Sequence, residues 1–547
     1  MKCGTAIAKI LKQEGVEFLS CFPTNPLIDP AAQEGIRPIM ARTERVAVNI
    51  ADGFSRVASD GRIGVCAMQF QAGIENAFSG VAQAYADSVP LLALPGQTGR
   101  NRLGVPPEFD AVQNYSRITK WADRVNLPAR APEMLRRAFT QLRTGRPGPV
   151  LLEVPTDVAL EEMPEAALSY TPVKGFRSSA DPQDIREAVR MLLAAKNPLL
   201  WVGQGVLYAG AGDELREFAE LLQVPLMTTM GGKSAFPEDH PLALGTGGCT
   251  GTKAVDHFLR KSDLLFALGS SLTVWFMCPP IPPGKTIIQC TLDERDLNKD
   301  YPIDHAVLGD AKCVLAQLIE EAKKQLGPNG RKGEDAVARE VKTVKSEWLQ
   351  EWMPKLTSDE VPINPFRVVW DLMHTVDRAN TIITHDSGNP RDQLAPFYEA
   401  VTPRGYLGWG HSSQLGYSLG LALGAKLAAP EKLVINVLGD AGFGMCGMDI
   451  ETAVREKIPI LTVVLNNGVL GGYEKHIPIA IERYGLKNVS GDYAMVGEAL
   501  GGYCEKVKRP EEITPAIERA KKVVAAGRPA LLEIFTKEEK QMPHFWR

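Results

Sequence analysis

The stretch Lys432–Gly468, KLVINVLGDAGFGMCGMDIETAVREKIPILTVVLNNG, places residues that could do chemistry at the ends of two apolar runs. Asp440 closes the first run and Asn466–Asn467 close the second, with Asp440 and Asn467 27 residues apart. One right-handed crossover of that length brings both ends to the same edge of a parallel sheet. An Asp carboxylate, an Asn amide oxygen and a nearby main-chain carbonyl make an all-oxygen donor set. Such a set suits Mg²⁺, which keeps few protein ligands and fills its octahedron with water and phosphate oxygens. Gly439, Gly442 and Gly444 let an anion approach the backbone at the start of the next helix, where free N–H groups attract phosphate. Asp440 alone reads as an ordinary strand-end carboxylate; the spacing and the glycines make it a candidate ligand.

The elements that must position these residues recur along the chain. Two stretches, about 158–182 and 326–362, mix Pro, Ser, Gly and charge, and divide the sequence into three blocks. Each block alternates short β-branched or apolar runs with helix-period segments, the pattern of parallel βαβ units. The expected fold is three tandem open α/β domains with mainly parallel sheets, over 1–165, 183–325 and 360–535, followed by a tail at 536–547. Ligands of such sheets lie beyond the carboxyl ends of the strands.

Composition bounds the function. With 547 residues, 44% apolar and 23% charged, the chain can bury several cores and is not a disordered or disulfide-stapled protein. A net charge of −4 without any Lys/Arg-rich block gives no reason to expect a nucleic-acid partner. Nine scattered cysteines without a CxxC pair point to reduced thiols, and hence to the cytoplasm. The longest apolar runs, such as IPILTVVL, fall far short of the roughly 20 residues a membrane helix needs, so no membrane partner is expected. MKCGTAIAKILKQEG reads as an amphipathic helix and not a signal peptide.

Gly439-Asp440 followed by Asn466-Asn467 resembles the signature of thiamine-diphosphate enzymes. The branch is the one holding acetolactate synthase, pyruvate oxidase, benzaldehyde lyase and oxalyl-CoA decarboxylase. The resemblance spans all three blocks and implies a pyrimidine-binding, a central and a diphosphate-binding domain. It implies Asp440, Asn467 and the carbonyl of Val469 as Mg²⁺ ligands on the diphosphate, with Ala441 standing where the family usually has Gly. Glu44, in TERVAVNIADGFSR, resembles the glutamate that hydrogen-bonds the pyrimidine ring; on its own it reads as a first-turn helix residue favouring the dipole. HSSQLGYSLGLALGAKLA implies Leu415 as the wedge beneath the cofactor, with the backbone near Ser413 on the pyrimidine. HDSGN (Asp386, Ser387, Gly388, Asn389) resembles the loop beside the diphosphate. The family also implies a small carbonyl substrate and a homodimer at minimum, with a homotetramer expected, because Glu44 of one subunit serves the diphosphate of another.

Substrate residues depart from the acetolactate synthase pattern. Pro106, Pro107 and Glu108 occupy the Phe-Gln-Glu segment, QAGIEN places Gln71 and Glu75 where small residues are usual, and GVLGGYEKHIP lacks the expected Met, Gln and Trp. Thr24, Asn25, Pro26, Gln71, His411, Tyr473 and His476 are the pocket candidates, with Lys475 beside them. The expected activity is therefore thiamine-diphosphate- and Mg-dependent cleavage or formation of C–C bonds next to a carbonyl. The alternatives are a flavin-dependent 2-oxo-acid oxidase, a 2-hydroxyacyl-CoA or benzaldehyde-type lyase, and a non-catalytic homologue. VGQGVLYAGAG in the middle block leaves FAD or ADP in the central domain open. Phe545 and Trp546 could close over the pocket or pack on a neighbouring subunit, or end an exposed tail.

Overall fold

The computed structural model describes the chain except residues 276, 277, 332–334, 546 and 547. The first sheet contains β1 (Phe18–Cys21), β2 (Arg37–Met40), β3 (Gly64–Met68), β4 (Leu91–Gln97), β5 (Trp121–Arg124) and β6 (Val150–Pro155). The central sheet contains β7 (Pro198–Val202), β8 (Leu226–Thr229), β9 (Ala243–Gly247), β10 (Leu264–Leu268), β11 (Thr286–Thr291) and β12 (His305–Leu308). The third contains β13 (Thr381–His385), β14 (Tyr406–Leu407), β15 (Leu433–Gly439), β16 (Leu461–Asn466), β17 (Tyr503–Val507) and β18 (Ala530–Phe535). Neighbouring strands pair in parallel, and the inner ones are buried along their whole length, as helices on both faces require. The α/β fold expected from the sequence is the fold found.

Strand order separates the three sheets into two kinds. The first runs β2-β1-β3-β4-β6-β5 and the third β14-β13-β15-β16-β18-β17, the same order counted within each domain. The central sheet runs β9-β8-β7-β10-β11-β12, the doubly wound order of dinucleotide-binding folds. Its switch point lies between β7 and β10. There the turn Gly203-Gln204-Gly205 meets Gly269 so closely that a Cβ on either glycine would collide with it.

The first and third domains meet through two helices. Glu44–Val57 starts with Thr43, whose hydroxyl accepts the Val46 N–H at 3.3 Å, and buries nearly every residue. Ser418–Ala428 is buried from Ser418 to Lys426. The two cross at glycines: a Cβ on Gly53 would strike the Leu421 carbonyl, and one on Gly424 the Ile50 carbonyl. Backbone therefore lies against backbone, and no larger residue fits.

The helix Ala336–Leu356 leads from the central to the third domain and packs Trp348 and Trp352 onto the third-domain core. The tail folds back on its own chain. Gly251 N–H donates to the Pro543 carbonyl at 3.2 Å, and Phe545 packs against the third-domain core, whereas Trp546 lies outside the described residues. Among the described residues no helix is long and apolar enough to cross a membrane.

Candidate active site

The carboxyl ends of β13, β15 and β16 converge in the third domain. Asp386, just after β13, is fully buried, and burial raises its carboxyl. One oxygen accepts the N–H groups of Ser387 and Gly416 at 2.9 Å each; the other accepts the Ser418 N–H at 3.1 Å and hydroxyl at 2.7 Å. Asp386 thus binds the loop 408–417 to the end of β13. Gly388 (φ +82°) precedes the helix Asn389–Phe397 and opens onto free space, where a side chain would intrude.

Asp440 is the first residue of the helix Asp440–Cys446, so β15 stops at Gly439, one position short of the strand end expected from sequence. Its carboxylate accepts the N–H of Ala441 and of Gly468, both at 2.7 Å, and so joins the β15 and β16 turns. Burial pushes this carboxyl up while those N–H groups pull it down. The two asparagines divide their tasks. Asn466 turns inward to Glu533 at 2.7 Å, whereas the Asn467 amide oxygen accepts the Val469 N–H at 3.0 Å in the surface loop. The Gly468–Val469 main chain is braced by residues 488 and 489. A Cβ on Gly442 would lie 2.9 Å from Asp386, one on Gly471 would lie 2.7 Å from Asn389, and Gly444 opens onto free space. The loops carrying Asp386, Gly388, Asn389, Gly439, Asp440, Ala441, Gly442, Asn467 and Val469 therefore share one rim. Its donor set is all oxygen and its glycines leave a cradle, so the residues fit a diphosphate with Mg²⁺.

The loop 408–417 forms the adjoining wall. Ser413 holds φ +54°, an uncommon backbone for a residue with a side chain. Its hydroxyl meets Ser387 Oγ at 2.7 Å and Arg391 Nη1 at 3.2 Å. Gln414 donates to the Ser79 carbonyl at 2.6 Å, and the Leu415 carbonyl accepts Arg45 Nη2. Leu415 thus lies in a loop ahead of the helix rather than on a helical face.

Glu44 opens its helix at the end of the β2 connection and is 8% exposed. Asn76 Nδ2 donates to its carboxylate at 2.6 Å, and a Cβ on Gly73 would lie 3.4 Å from it. Asn76 closes QAGIEN and Arg391 lies two residues past HDSGN, but neither stands out in the sequence, and each is recognisable only once its helix faces the site.

The pocket candidates scatter. Asn25 spends its amide on the Met68 and Leu94 carbonyls, at 2.8 and 2.9 Å, and its oxygen on Leu27 N–H, so it shapes the wall and has nothing left to offer a substrate. Thr24 is exposed beside it, with Pro26 half-buried. Gln71 (φ +55°) caps the helix Ala72–Ala86, donates to Glu108 and accepts Phe109 N–H at 3.4 Å. Tyr473, Lys475 and His476 are exposed on the segment after the Asn467 loop. His411 turns away towards the central domain, stacking on Trp275 at 4.8 Å and lining a crevice of about 980 Å³ at the junction of the three domains.

Comparison with known proteins agrees with this geometry. Residues 1–116 match the thiamine pyrophosphate enzyme N-terminal TPP binding domain, 185–318 the central domain and 386–534 the C-terminal TPP binding domain. A probable acetolactate synthase large subunit of Methanocaldococcus jannaschii is 32% identical over 99% of this chain and 93% of its own. The acetolactate synthase large subunit of Corynebacterium glutamicum is 31% identical over 98% and 87%, and the glyoxylate carboligase of Escherichia coli O157:H7 is 28% identical over 98% and 93%. With matched domains at both ends of the chain and relatives aligned over nearly its full length, the chain belongs to the thiamine pyrophosphate enzyme family, in the branch that includes acetolactate synthase.

Proposed function

We propose that this enzyme uses thiamine diphosphate and Mg²⁺ to join or cleave C–C bonds beside a carbonyl, with 2-oxo acids and aldehydes as substrates. The observation that carries the reading is the shared rim of Asp440 and Asn467 in a chain that also supplies a buried Glu44. In this reading Asp440, Asn467 and the Val469 carbonyl hold the metal. Asp386, Gly388, Asn389, Gly439, Ala441 and Gly442 surround the diphosphate, while Ser413 and Leu415 carry the pyrimidine side. When bound, the cofactor supplies a nucleophilic carbon that stores an acyl-anion equivalent.

The protein's own groups do the rest. Glu44, fixed by Asn76, holds a proton against the ring nitrogen of the pyrimidine. Leu415 would support the cofactor's rings, and the buried Asp386 keeps the loop of Leu415 in place. Thr24, Pro26, Gln71, Tyr473 and His476 remain the candidates for contact with a small carbonyl compound.

A homodimer or homotetramer follows from the same reading, with Glu44 facing the diphosphate of the partner subunit. Exposed apolar residues support it: Met445 (59% exposed) and Phe78 (38%) flank the 413–416 loop, a face that a second copy would cover. The scattered thiols and the small net charge support a cytoplasmic address. Domain limits at 165, 183, 325 and 360 suit the strand groupings.

A nucleotide in the central crevice is a second reading, favoured by the doubly wound strand order and the crevice volume. Tyr208 stands at the third glycine position and Thr229, not an acid, ends β8, so the dinucleotide fingerprint is incomplete, and FAD or ADP rests on the strand order and the crevice alone.

Titration calorimetry with thiamine diphosphate, with and without EDTA, tests the main reading: metal-dependent binding is expected, and absent or metal-independent binding would overturn it. Mass spectrometry of products from a mixed 2-oxo-acid and aldehyde panel then identifies donor and acceptor. A flavin absorption band in the purified protein would favour the oxidase instead.

A further inference from the structure

The loop that carries Ser413 and Leu415 does not hold itself. Gly410, Ser413 and Gly416 all take positive φ, at +134°, +54° and +72°, within seven residues. Glycine takes positive φ freely, but Ser413 does not, and its backbone persists only where its surroundings over-determine it. Asp386, Ser387 and Arg391 grip it from the third domain. From the other side it is gripped by a buried charge cluster of the first domain, formed by Asp52, Arg56 and Asp87.

Asp87 caps the C-terminus of the helix Ala72–Ala86 and is 7% exposed. One carboxylate oxygen accepts Arg56 Nη2 at 2.9 Å and Gln83 Nε2 at 2.7 Å; the other accepts the His411 N–H at 3.3 Å. Arg56 donates through Nε to Asp52 at 2.5 Å and through Nη1 to the Gly408 carbonyl at 3.4 Å. Tyr417 closes the circuit, its hydroxyl donating to Asp52 at 2.9 Å. The three acids and bases thus fasten the loop at its start, middle and end, at Gly408, His411 and Tyr417. Ser413 and Leu415 lie between the last two of these points. The Asp87 carbonyl also accepts Gln204 Nε2, so the central domain is tied to the same residue.

We infer that Asp87, held by Arg56, is a positioning residue that sets the conformation of the 408–417 loop and thereby presents Ser413 and Leu415 to the cofactor. The second half of this statement rests on the function proposed above; the first half does not. The carboxylate is required because it must accept from Arg56, Gln83 and His411 together. A carboxamide offers one acceptor and turns an N–H₂ group on donors. The buried location makes each lost acceptor costly, since water does not replace it.

Hydrogen exchange on the cofactor-free protein tests the first half. Asp87→Asn and Arg56→Lys are expected to raise exchange of 408–417 about tenfold, the size expected for one buried hydrogen bond, with β4 unchanged. Unaltered exchange in both variants, or an equal rise in β4, would overturn it, the latter leaving Asp87 a general support of the fold. Calorimetry with thiamine diphosphate and Mg²⁺ tests the second half, with affinity expected to fall about tenfold. A loosened loop with unchanged affinity would overturn the link to the cofactor. If the wild-type protein itself binds no thiamine diphosphate, the proposed function falls together with that link, while the exchange result still decides whether Asp87 holds the loop.

Discussion

The first and third domains are built on one strand order and put different chemistry on it. In the third, the turns after the first, third and fourth strands in sequence bear Asp386, Asp440 and Asn467, an oxygen-rich rim beside open glycines. In the first, the corresponding turn after β1 holds the spent amide of Asn25, and that after β3 holds Gln71 locked to Glu108. The buried acid Glu44 follows the second strand, where the third domain has instead the 408–417 loop. In the proposed function the two scaffolds divide the labour by position: one would bind the cofactor, and the other would supply a proton-holding group opposite the loop that lacks one.

That division can be tested by variants whose effects it orders. Glu44→Gln is expected to lower turnover by about 10²–10⁴-fold, the range for removing an acid–base group, while calorimetry shows cofactor affinity nearly intact. Loss of binding together with turnover would place Glu44 on the binding side and erase the distinction. Gly424→Val, where the two copies cross, is expected to cost at least about 3 kcal/mol by urea unfolding, because neither backbone can retreat.

A smaller effect is expected at the seam between the domains. Asp449 in the third domain accepts the Arg42 N–H at 2.8 Å, two residues before Glu44, and burial raises its carboxyl to about 6. Its folded value lies above the unfolded one near 3.9, so between these limits the folded state binds more protons and stability falls as pH rises. Wild-type protein is expected to lose about 2 kcal/mol from pH 4 to 6 relative to Asp449→Asn, read from denaturant midpoints at each pH. Parallel curves would remove the seam from the account. Asn467→Ala is expected to weaken Mg²⁺ binding about 10–100-fold with Glu44 function unchanged at saturating metal, read by metal titration of turnover.

The third-domain rim was legible in the sequence because its parts are local: Asp440 and Asn467 sit one crossover apart, and the hydrophobic runs fix the strands around them. Glu44 stood out only through the family resemblance, since on its own it reads as a first-turn helix residue favouring the dipole. What stayed hidden is non-local. Nothing near Asp87 announces His411, 324 residues away, and His411 itself reads as a pocket residue until Trp275 is seen stacked upon it. Asn25 is polar in sequence and exhausted in structure. The repeated strand order, too, arises from which strands pair, and the alternation of apolar runs is the same for all three domains.

The glycine crossing of Glu44–Val57 with Ser418–Ala428 has a consequence for how this enzyme could be diversified. With main chain seated on main chain, the gap between the two domain faces has no side chain through which selection or an engineer could widen or narrow it by small steps. New reactivity must therefore be written at the periphery, in the turns at 69–71, 106–109 and 471–477, where residues stand in loops and can be exchanged without moving the scaffold. The contact behaves as a fixed gauge, and the surrounding loops are the adjustable parts.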